Sequence, residues 1–263
     1  MKWVDIDGIQ LNVCDQGQGP VLLLVHGFPL DHTMWRGQIE DLAREFRVIA
    51  PDLRGFGRSD VTEGVVSMER FADDLAALLD ALDARGEVAF CGLSMGGYVA
   101  WQFWRRHRSR LSHLVLCDTR AAPDTPEAAQ ARLESADRVL AEGVGFLADA
   151  MVGKLFADPT RRERPELVEA MRKVMLGTPA AGAAAALRGM AARQDATGWL
   201  SEIDVPALVL CGRYDAISPV DEMRGMAQRI PEARFVEIPD AGHMAPLENP
   251  EAVNRAIREI LEK

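Results

Sequence analysis

The chain has 263 residues, of which 48% are hydrophobic, enough for one large α/β domain or two small domains. A formal net charge of −10 argues against nucleic acid and anionic membrane surfaces as partners. No apolar run approaches the length of a membrane span, and the first residues enter a strand pattern rather than a signal peptide, so we expect a cytoplasmic protein.

The hydrophobic pattern predicts strands and helices in alternation. The predicted strands are Val4–Ile6, Ile9–Cys14, Val21–Val25, Arg47–Ala50, Val88–Cys91, Leu111–Cys117, Ala207–Cys211 and Arg234–Ile238. The predicted helices are Met34–Glu45, Met68–Leu82, Tyr98–His107, Val220–Ile230 and Glu251–Leu261. This order predicts an α/β fold with a mostly parallel, doubly wound sheet covered by helices on both faces.

Residues 120–200 interrupt the alternation. The segment shows no convincing strand and is rich in Ala, Met, Glu and Arg, which predicts several helices. Because no flexible linker flanks it, we expect an inserted helical cap over the carboxyl edge of the sheet, where open α/β sheets bind ligands. The core would then comprise residues 1–119 and 201–263. A separate helical domain is the alternative.

The turn after the Val88–Cys91 strand reads Gly-Leu-Ser-Met-Gly-Gly over residues 92–97. A Gly-x-Ser-x-Gly pattern between a strand and a helix is identified as a nucleophile elbow, a sharp turn that exposes its serine. The glycines allow strand and helix to pack closely, and the helix N-terminus directs N–H groups and a partial positive charge at the site. The pattern therefore predicts Ser94 as a nucleophile. The alternative is a glycine-rich turn in which Ser94 only caps the helix.

A serine nucleophile requires a base and an acid that orients the base. Of the five histidines, His243 lies in the loop after the last predicted strand and directly follows a glycine, so it is the candidate base. The acid is expected between serine and histidine in sequence. Asp215 and Asp118 both follow core strands. We favour Asp215 because its strand is expected beside that of His243, and Asp118 remains the competitor.

Backbone groups near the serine predict an oxyanion hole. The N–H groups of Phe28, which follows a glycine, and of Met95 are placed to donate to a developing oxyanion. Two side chains are candidates for substrate binding. Arg120, just after a core strand, is a candidate anchor for a substrate carboxylate, with an ordinary surface arginine as the alternative. Met244 is next to the candidate base.

Metal and cofactor signals are absent from the sequence. The four cysteines form no Cys-x-x-Cys pair, and no histidine cluster has zinc-ligand spacing. The Gly55-x-Gly57 sequence lacks the third glycine and the following helix of a dinucleotide loop. We therefore expect neither metal nor cofactor, and buried free thiols rather than disulfides.

Taken together, these motifs resemble those of the α/β-hydrolase superfamily. The resemblance covers nearly the whole chain, and it is carried by residues 24–29, residues 51–60, the Ser94 turn, Asp215 and His243. The Gly-Leu-Ser-Met-Gly-Gly sequence is similar to that of the branch of esterases, enol-lactonases and cofactor-free perhydrolases. The resemblance implies a cofactor-independent serine hydrolase, a carboxylesterase that cleaves small to medium esters through an acyl-enzyme.

Other functions stay open at this point. The first alternative is a lactonase of the 3-oxoadipate enol-lactone kind, followed by a perhydrolase or a hydrolase of carbon–carbon bonds. The alternative outside enzymes is a ligand receptor on the same fold. In each enzyme case the expected partner is a small-molecule ester, lactone or related compound.

Overall fold

The computed structural model describes residues 1–262 and places eight strands in one sheet. The strands are β1 (Lys2–Ile6), β2 (Ile9–Gln16), β3 (Val21–Val25), β4 (Arg47–Pro51), β5 (Val88–Leu93), β6 (Leu111–Cys117), β7 (Ala207–Gly212) and β8 (Arg234–Ile238). Their order is β1-β2-β4-β3-β5-β6-β7-β8. The β1–β2 and β2–β4 pairs are antiparallel, and all other pairs are parallel. The predicted α/β architecture with a mostly parallel sheet is confirmed.

The helices follow the strands in chain order. They are α1 (Arg36–Leu42), α2 (Met68–Ala81), α3 (Met95–Arg106), α4 (Pro126–Glu142), α5 (Gly145–Leu155), α6 (Asp158–Glu163), α7 (Pro165–Leu176), α8 (Ala180–Ala191), α9 (Val220–Ala227), α10 (Ala245–Glu248) and α11 (Pro250–Leu261). The predicted helix at residues 34–45 is instead a 3-10 turn at His32–Trp35 followed by the shorter α1. Over residues 1–262, no helix combines the length and the apolar character that a bilayer span needs.

Helices cover both faces of the sheet because its central strands are apolar on both sides. Side chains alternate along a strand, so Phe90 of β5 joins the core beneath α2 and α3, and its neighbour Cys91 joins the core beneath α1 and α11. With both faces filled, the loops at the carboxyl ends of the strands are the place where a site can form.

The segment between β6 and β7 is helical, with α4 packed on α8 and α5 on α7. Gly182 of α8 lies so close to Gly55 that a Cβ on either residue would collide with the other's backbone. Contacts of this kind hold the helices against loops of the sheet. The division into a core and a cap at residues 120–200 stays a prediction, and the last residue assigned to the core, Lys263, lies outside the described residues.

All four cysteines are buried and free, as predicted. The Sγ atoms of Cys91 and Cys117 lie 3.8 Å apart on the neighbouring strands β5 and β6. Burial raises the pKa of the Cys117 thiol well above its usual value, and the adjacent Cys91 raises it further. Both thiols therefore behave as small apolar side chains within the sheet.

Candidate active site

Ser94 stands between the last residue of β5 and the first residue of α3. Its φ is 53°, in the left-handed region that residues with a side chain rarely adopt. The helix begins at Met95, three residues before the predicted start at Tyr98. The low helix propensity of Gly96 and Gly97 conceals this early start in the sequence.

Close packing around the turn keeps Ser94 in this conformation. A Cβ on Gly92 would collide with the backbone of Gly96, so only glycine permits this approach of strand and helix. Ser94 N donates to Cys117 O at 3.0 Å, and Thr119 Oγ1 donates to Ser94 O at 2.7 Å. The strained turn is thus fixed through both of its backbone polar groups, while the Ser94 residue stays partly exposed.

His243 and Asp215 form a buried pair, because their loops follow the adjacent parallel strands β8 and β7. His243 Nδ1 donates to Asp215 Oδ2 at 2.8 Å, and the two side chains are 2% and 0% exposed. The other oxygen, Asp215 Oδ1, accepts from the N–H of Ile217 at 2.7 Å and that of Ser218 at 3.0 Å. These three donors fix both oxygens of the carboxylate.

Asp118 is a second buried carboxyl group beside this pair. Its Oδ1 accepts from Gly212 N at 2.8 Å, and its Oδ2 has no hydrogen-bond partner among residues 1–262. One polar atom each of Asp118, Asp215 and His243 lie within 4.8 Å of one another. The structure therefore brings both candidate acids to the candidate base, and it is Asp215 that accepts the hydrogen bond from the imidazole.

The pKa values of the two acids are shifted in opposite directions. Complete burial and the nearby Asp215 raise the pKa of Asp118 well above its usual range. Burial also acts to raise the pKa of Asp215, but His243 and the N–H of Ser218 outweigh it and lower that pKa. The environment of Asp118 thus favours its neutral form and that of Asp215 its ionised form, as expected of two neighbouring carboxyl groups whose pKa values diverge.

Ser94 Oγ makes no hydrogen bond to His243 within the part of the chain that the structure describes. The turn and the histidine loop nevertheless lie at the same edge of the sheet, because β5, β6, β7 and β8 run parallel. Catalytic hydrogen bonds of unliganded enzymes are often long and tighten only when substrate binds.

The predicted oxyanion donors lie beside the serine with unpaired N–H groups. Over residues 1–262, neither Phe28 N nor Met95 N donates to a backbone oxygen outside helices and strands. Met95 is the first residue of α3, where the helix itself offers no acceptor. A Cβ on Gly27 would lie 3.3 Å from Ser94 Cβ, so the loop of Phe28 is directly against the turn. Their role as an oxyanion hole stays a prediction.

His26 and Asp52 fix the loop that carries Phe28. His26 Nε2 accepts from Leu53 N at 3.0 Å and its Nδ1 donates to Gly27 O at 2.9 Å. Asp52 Oδ1 accepts from His32 Nδ1 at 2.6 Å. Both ring nitrogens of His26 and the Nδ1 of His32 are therefore engaged in holding this loop.

The structure places the two candidate substrate-binding residues against other protein groups. The Arg120 guanidinium donates to Ile217 O and pairs with Glu222 of α9 at 3.1 Å. The Met244 side chain is fully buried in the apolar core, and its N–H donates to Leu155 O at 3.1 Å. Among the described contacts, none joins Arg120 to Ser94 or His243.

Sequence reasoning missed Glu248, which is only 6% exposed. Its Oε1 accepts from Gly242 N at 2.8 Å and its Oε2 from Ala157 N at 2.9 Å. Burial raises the pKa of Glu248, against the lowering effects of the Thr160 side chain and of these N–H donors. The available signal was a single acidic residue that ends the apolar stretch 244–247 directly after the candidate base.

Among residues 1–262, two clusters have a spacing that a metal ion could use, Asp31 with His32 and Asp52, and Asp118 with Asp215 and His243. In each cluster the histidine Nδ1 already faces an aspartate oxygen at hydrogen-bond distance. An Nδ1–H that donates to a carboxylate has no lone pair for a metal ion. In both clusters the Nδ1 of the histidine thus serves a histidine–aspartate pair.

Comparison with known proteins extends this description. A family model described as alpha/beta hydrolase fold matches residues 20–250. The solved structure of a malate-bound thermophilic esterase from Thermogutta terrifontis is 51% identical, with a TM-score of 0.97, and covers 99% of this chain and 97% of that chain. An enol-lactonase from Burkholderia xenovorans LB400 is 30% identical, with a TM-score of 0.92 and 100% coverage of both chains. The 3-oxoadipate enol-lactonase 1 of Acinetobacter baylyi is 29% identical over 88% of this chain and 85% of its own length.

These similarities support a hydrolase of this fold. The chain belongs to the α/β-hydrolase fold family.

Proposed function

We propose that the protein is a serine carboxylesterase that cleaves small to medium carboxylic esters through an acyl-enzyme. The observation that carries the proposal is the strained Ser94 turn at the same sheet edge as the buried hydrogen bond between His243 and Asp215. The 51% identity to the Thermogutta terrifontis esterase over 99% of this chain supports ester cleavage.

In the acylation step, Ser94 Oγ attacks the ester carbonyl carbon and His243 takes the hydroxyl proton. Asp215 holds the imidazole in the required tautomer and stabilises its cation. The negative charge on the former carbonyl oxygen is met by the N–H groups of Phe28 and Met95. The tetrahedral intermediate then expels the alcohol, which receives the proton from His243.

In the deacylation step, water replaces the alcohol. His243 removes a proton from the water as it attacks the acyl carbon, and the second tetrahedral intermediate expels Ser94 Oγ. The proton returns from His243 to the serine, and the carboxylic acid leaves. The two steps together consume one ester and one water molecule, release one alcohol and one carboxylic acid, and involve no oxidation or reduction.

The helices of residues 120–200 act in this proposal as a cap that limits substrate length. Thr178 Oγ1 donates to Pro29 O at 3.0 Å, next to Phe28, and Ala157 approaches Gly242, next to His243. Helices over a sheet edge enclose a pocket, and an enclosed pocket limits acyl length more than an open groove does. We therefore expect butyrate-sized esters to exceed palmitate-sized ones by at least about tenfold in kcat/KM. Equal turnover of emulsified long-chain esters would instead indicate a lipase.

The decisive experiment is Ser94→Ala, assayed on p-nitrophenyl butyrate. We expect kcat to fall by about 10⁴–10⁶ with an unchanged circular dichroism spectrum. A fluorophosphonate should label one residue in the wild-type protein and none in the variant. Retained turnover, or labelling at another residue, would remove Ser94 from the mechanism.

The second candidate function is a lactonase, which the 30% identity to the Burkholderia xenovorans enol-lactonase favours. A panel of p-nitrophenyl esters and lactones at matched concentrations separates the two. A strong preference for an enol-lactone over every simple ester would establish the lactonase. Binding without turnover across the whole panel would favour a ligand receptor on the same fold.

A further inference from the structure

Glu248 connects the loop of His243 to the helices inserted between β6 and β7. One carboxylate oxygen accepts from the N–H of Gly242, the residue before the histidine. The other accepts from the N–H of Ala157, at the junction of α5 and α6. A single buried side chain thus links the base loop to the inserted helices.

The residue on the other side of the histidine contacts the same junction. Met244 N donates to Leu155 O at 3.1 Å. A Cβ on Gly242 would lie 2.7 Å from Ala157 N, so this position has room only for glycine. Both backbone neighbours of His243 are therefore fixed against the chain between α5 and α6.

Among the described residues, the carboxylate of Glu248 is buried without a cationic partner, which is unusual. Across residues 1–262 no salt bridge involves Glu248, although Arg164 lies near it and donates to the backbone oxygens of Leu247 and Glu248. Burying an unpaired charge is costly. Two backbone N–H groups that converge on two oxygens offset this cost, and no neutral side chain of this length offers two such acceptors.

We propose that Glu248 is a positioning residue for His243. Its carboxylate fixes Gly242 and Ala157 together, and so sets the distance of the imidazole from Ser94 and couples it to the α5–α6 junction. The inference rests on the proposed function, because it takes His243 as the catalytic base.

The test compares Glu248→Gln with a matched buried carboxylate elsewhere. Asp74 is 4% exposed and accepts from Arg54 Nε and Nη2 at 2.7 Å each, in a pair remote in sequence from the histidine loop. Glu248→Gln keeps the side-chain shape but turns one N–H acceptor into a donor. Asp74→Asn makes the same chemical change. Titration with a fluorophosphonate expresses each kcat per folded site, so that partial unfolding of either variant does not enter the comparison.

For Glu248→Gln we expect kcat to fall by about tenfold to a hundredfold, with KM changed by less than about threefold, since small displacements of a catalytic group cost this much. Asp74→Asn should keep kcat per site within about twofold. As a milder change on the same link, Arg164→Met should lower kcat in the same direction by a smaller factor.

A double-mutant cycle separates positioning from a general loss of structure. In an Asp215→Asn background, where the imidazole is already misoriented, Glu248→Gln should cost much less than in the wild-type background. Equal costs in the two backgrounds, or equal kcat per site for Glu248→Gln and Asp74→Asn, would overturn the positioning role. Full turnover of Ser94→Ala would overturn the proposed function instead, so the two failures are distinct.

Discussion

Asp215→Asn should lower kcat by about 10⁴, and the hydrogen bonds of Asp215 explain the size of the effect. Asp215 Oδ1 accepts from two backbone N–H groups, those of Ile217 and Ser218. An amide NH2 at that position would face two donors, so the amide oxygen must stay there. The NH2 group is therefore forced toward His243.

This orientation reverses the histidine tautomer. His243 Nδ1 must then accept rather than donate, which puts the proton on Nε2, and a protonated Nε2 cannot remove the proton of Ser94. The loss of about 10⁴ corresponds to ~5.5 kcal/mol of transition-state stabilisation. Substrate binding is untouched by this change, so we expect KM to move by less than about threefold.

Asp118→Asn is the matched control. Burial raises the pKa of Asp118, which favours its neutral form, and its Oδ1 accepts one hydrogen bond, from Gly212 N. An amide is nearly isosteric with a neutral carboxylic acid and keeps that acceptor, so kcat should change by less than about tenfold. The assay is kcat and KM on p-nitrophenyl butyrate, normalised by fluorophosphonate titration. If Asp118→Asn proves the more damaging of the two changes, the acid of the site is Asp118 and the reasoning from Asp215 is wrong.

Three further predictions concern stability. Burial raises the pKa of Asp118 in the fold, so this group contributes most to stability below its unfolded pKa of about 3.9 and less as pH rises. In urea unfolding, Asp118→Asn should therefore gain stability relative to wild type as pH rises above about 4. No such gain would mean that the carboxyl group is ionised. Asp52 has the opposite sign: burial acts to raise its pKa, but His32 and other donors lower it to about 2. The ionised Asp52 therefore stabilises the fold by about 2 kcal/mol at pH values above its unfolded pKa. Asp52→Asn should lose this stabilisation in full at pH 7 and should be less destabilising near pH 3, where it has already begun to fade in the wild type. A pH-independent difference would refute this. In thermal unfolding, Gly182→Ala should destabilise the protein by about 1–3 kcal/mol, because the new Cβ collides with Gly55. The control Gly225→Ala, in α9 with open space around it, should be neutral or stabilising by up to about 1 kcal/mol. Equal effects of the two alanines would contradict the close helix contact.

The sheet was predictable because its signals are local. Continuous aliphatic runs such as Val21–Val25 are typical of strands buried on both faces, and the structure gives that strand the same bounds. The adjacency of the strands before Asp215 and His243 was also expected, and β7 and β8 are neighbours. The roles of Ser94 and of both these residues stay predictions until the variants are measured.

The remaining features depend on tertiary contacts that no local pattern encodes. The four-residue α10 is too short to show a helical period. The raised pKa of Asp118 follows from complete burial beside Asp215, and burial at that depth is a property of the folded sheet. Arg120 has the sequence position of a substrate anchor, but its pairing with Glu222 depends on where α9 packs.

The inserted helices are joined to the sheet loops largely through backbone atoms of the loops. Thr178 donates to Pro29 O, next to Phe28, and Arg164 donates to Leu247 O, shortly after His243. In both contacts the loop presents only backbone, so each contact depends on one side chain, and the loop sequences are free to vary without losing it. Glu248 is the reverse case, because its side chain belongs to α10, directly after the loop of His243, and the inserted helices present the N–H of Ala157. Changes in the inserted helices can therefore reshape a pocket while leaving the serine and histidine loops in place, except at the α5–α6 junction, where any change in the backbone acts directly on the histidine.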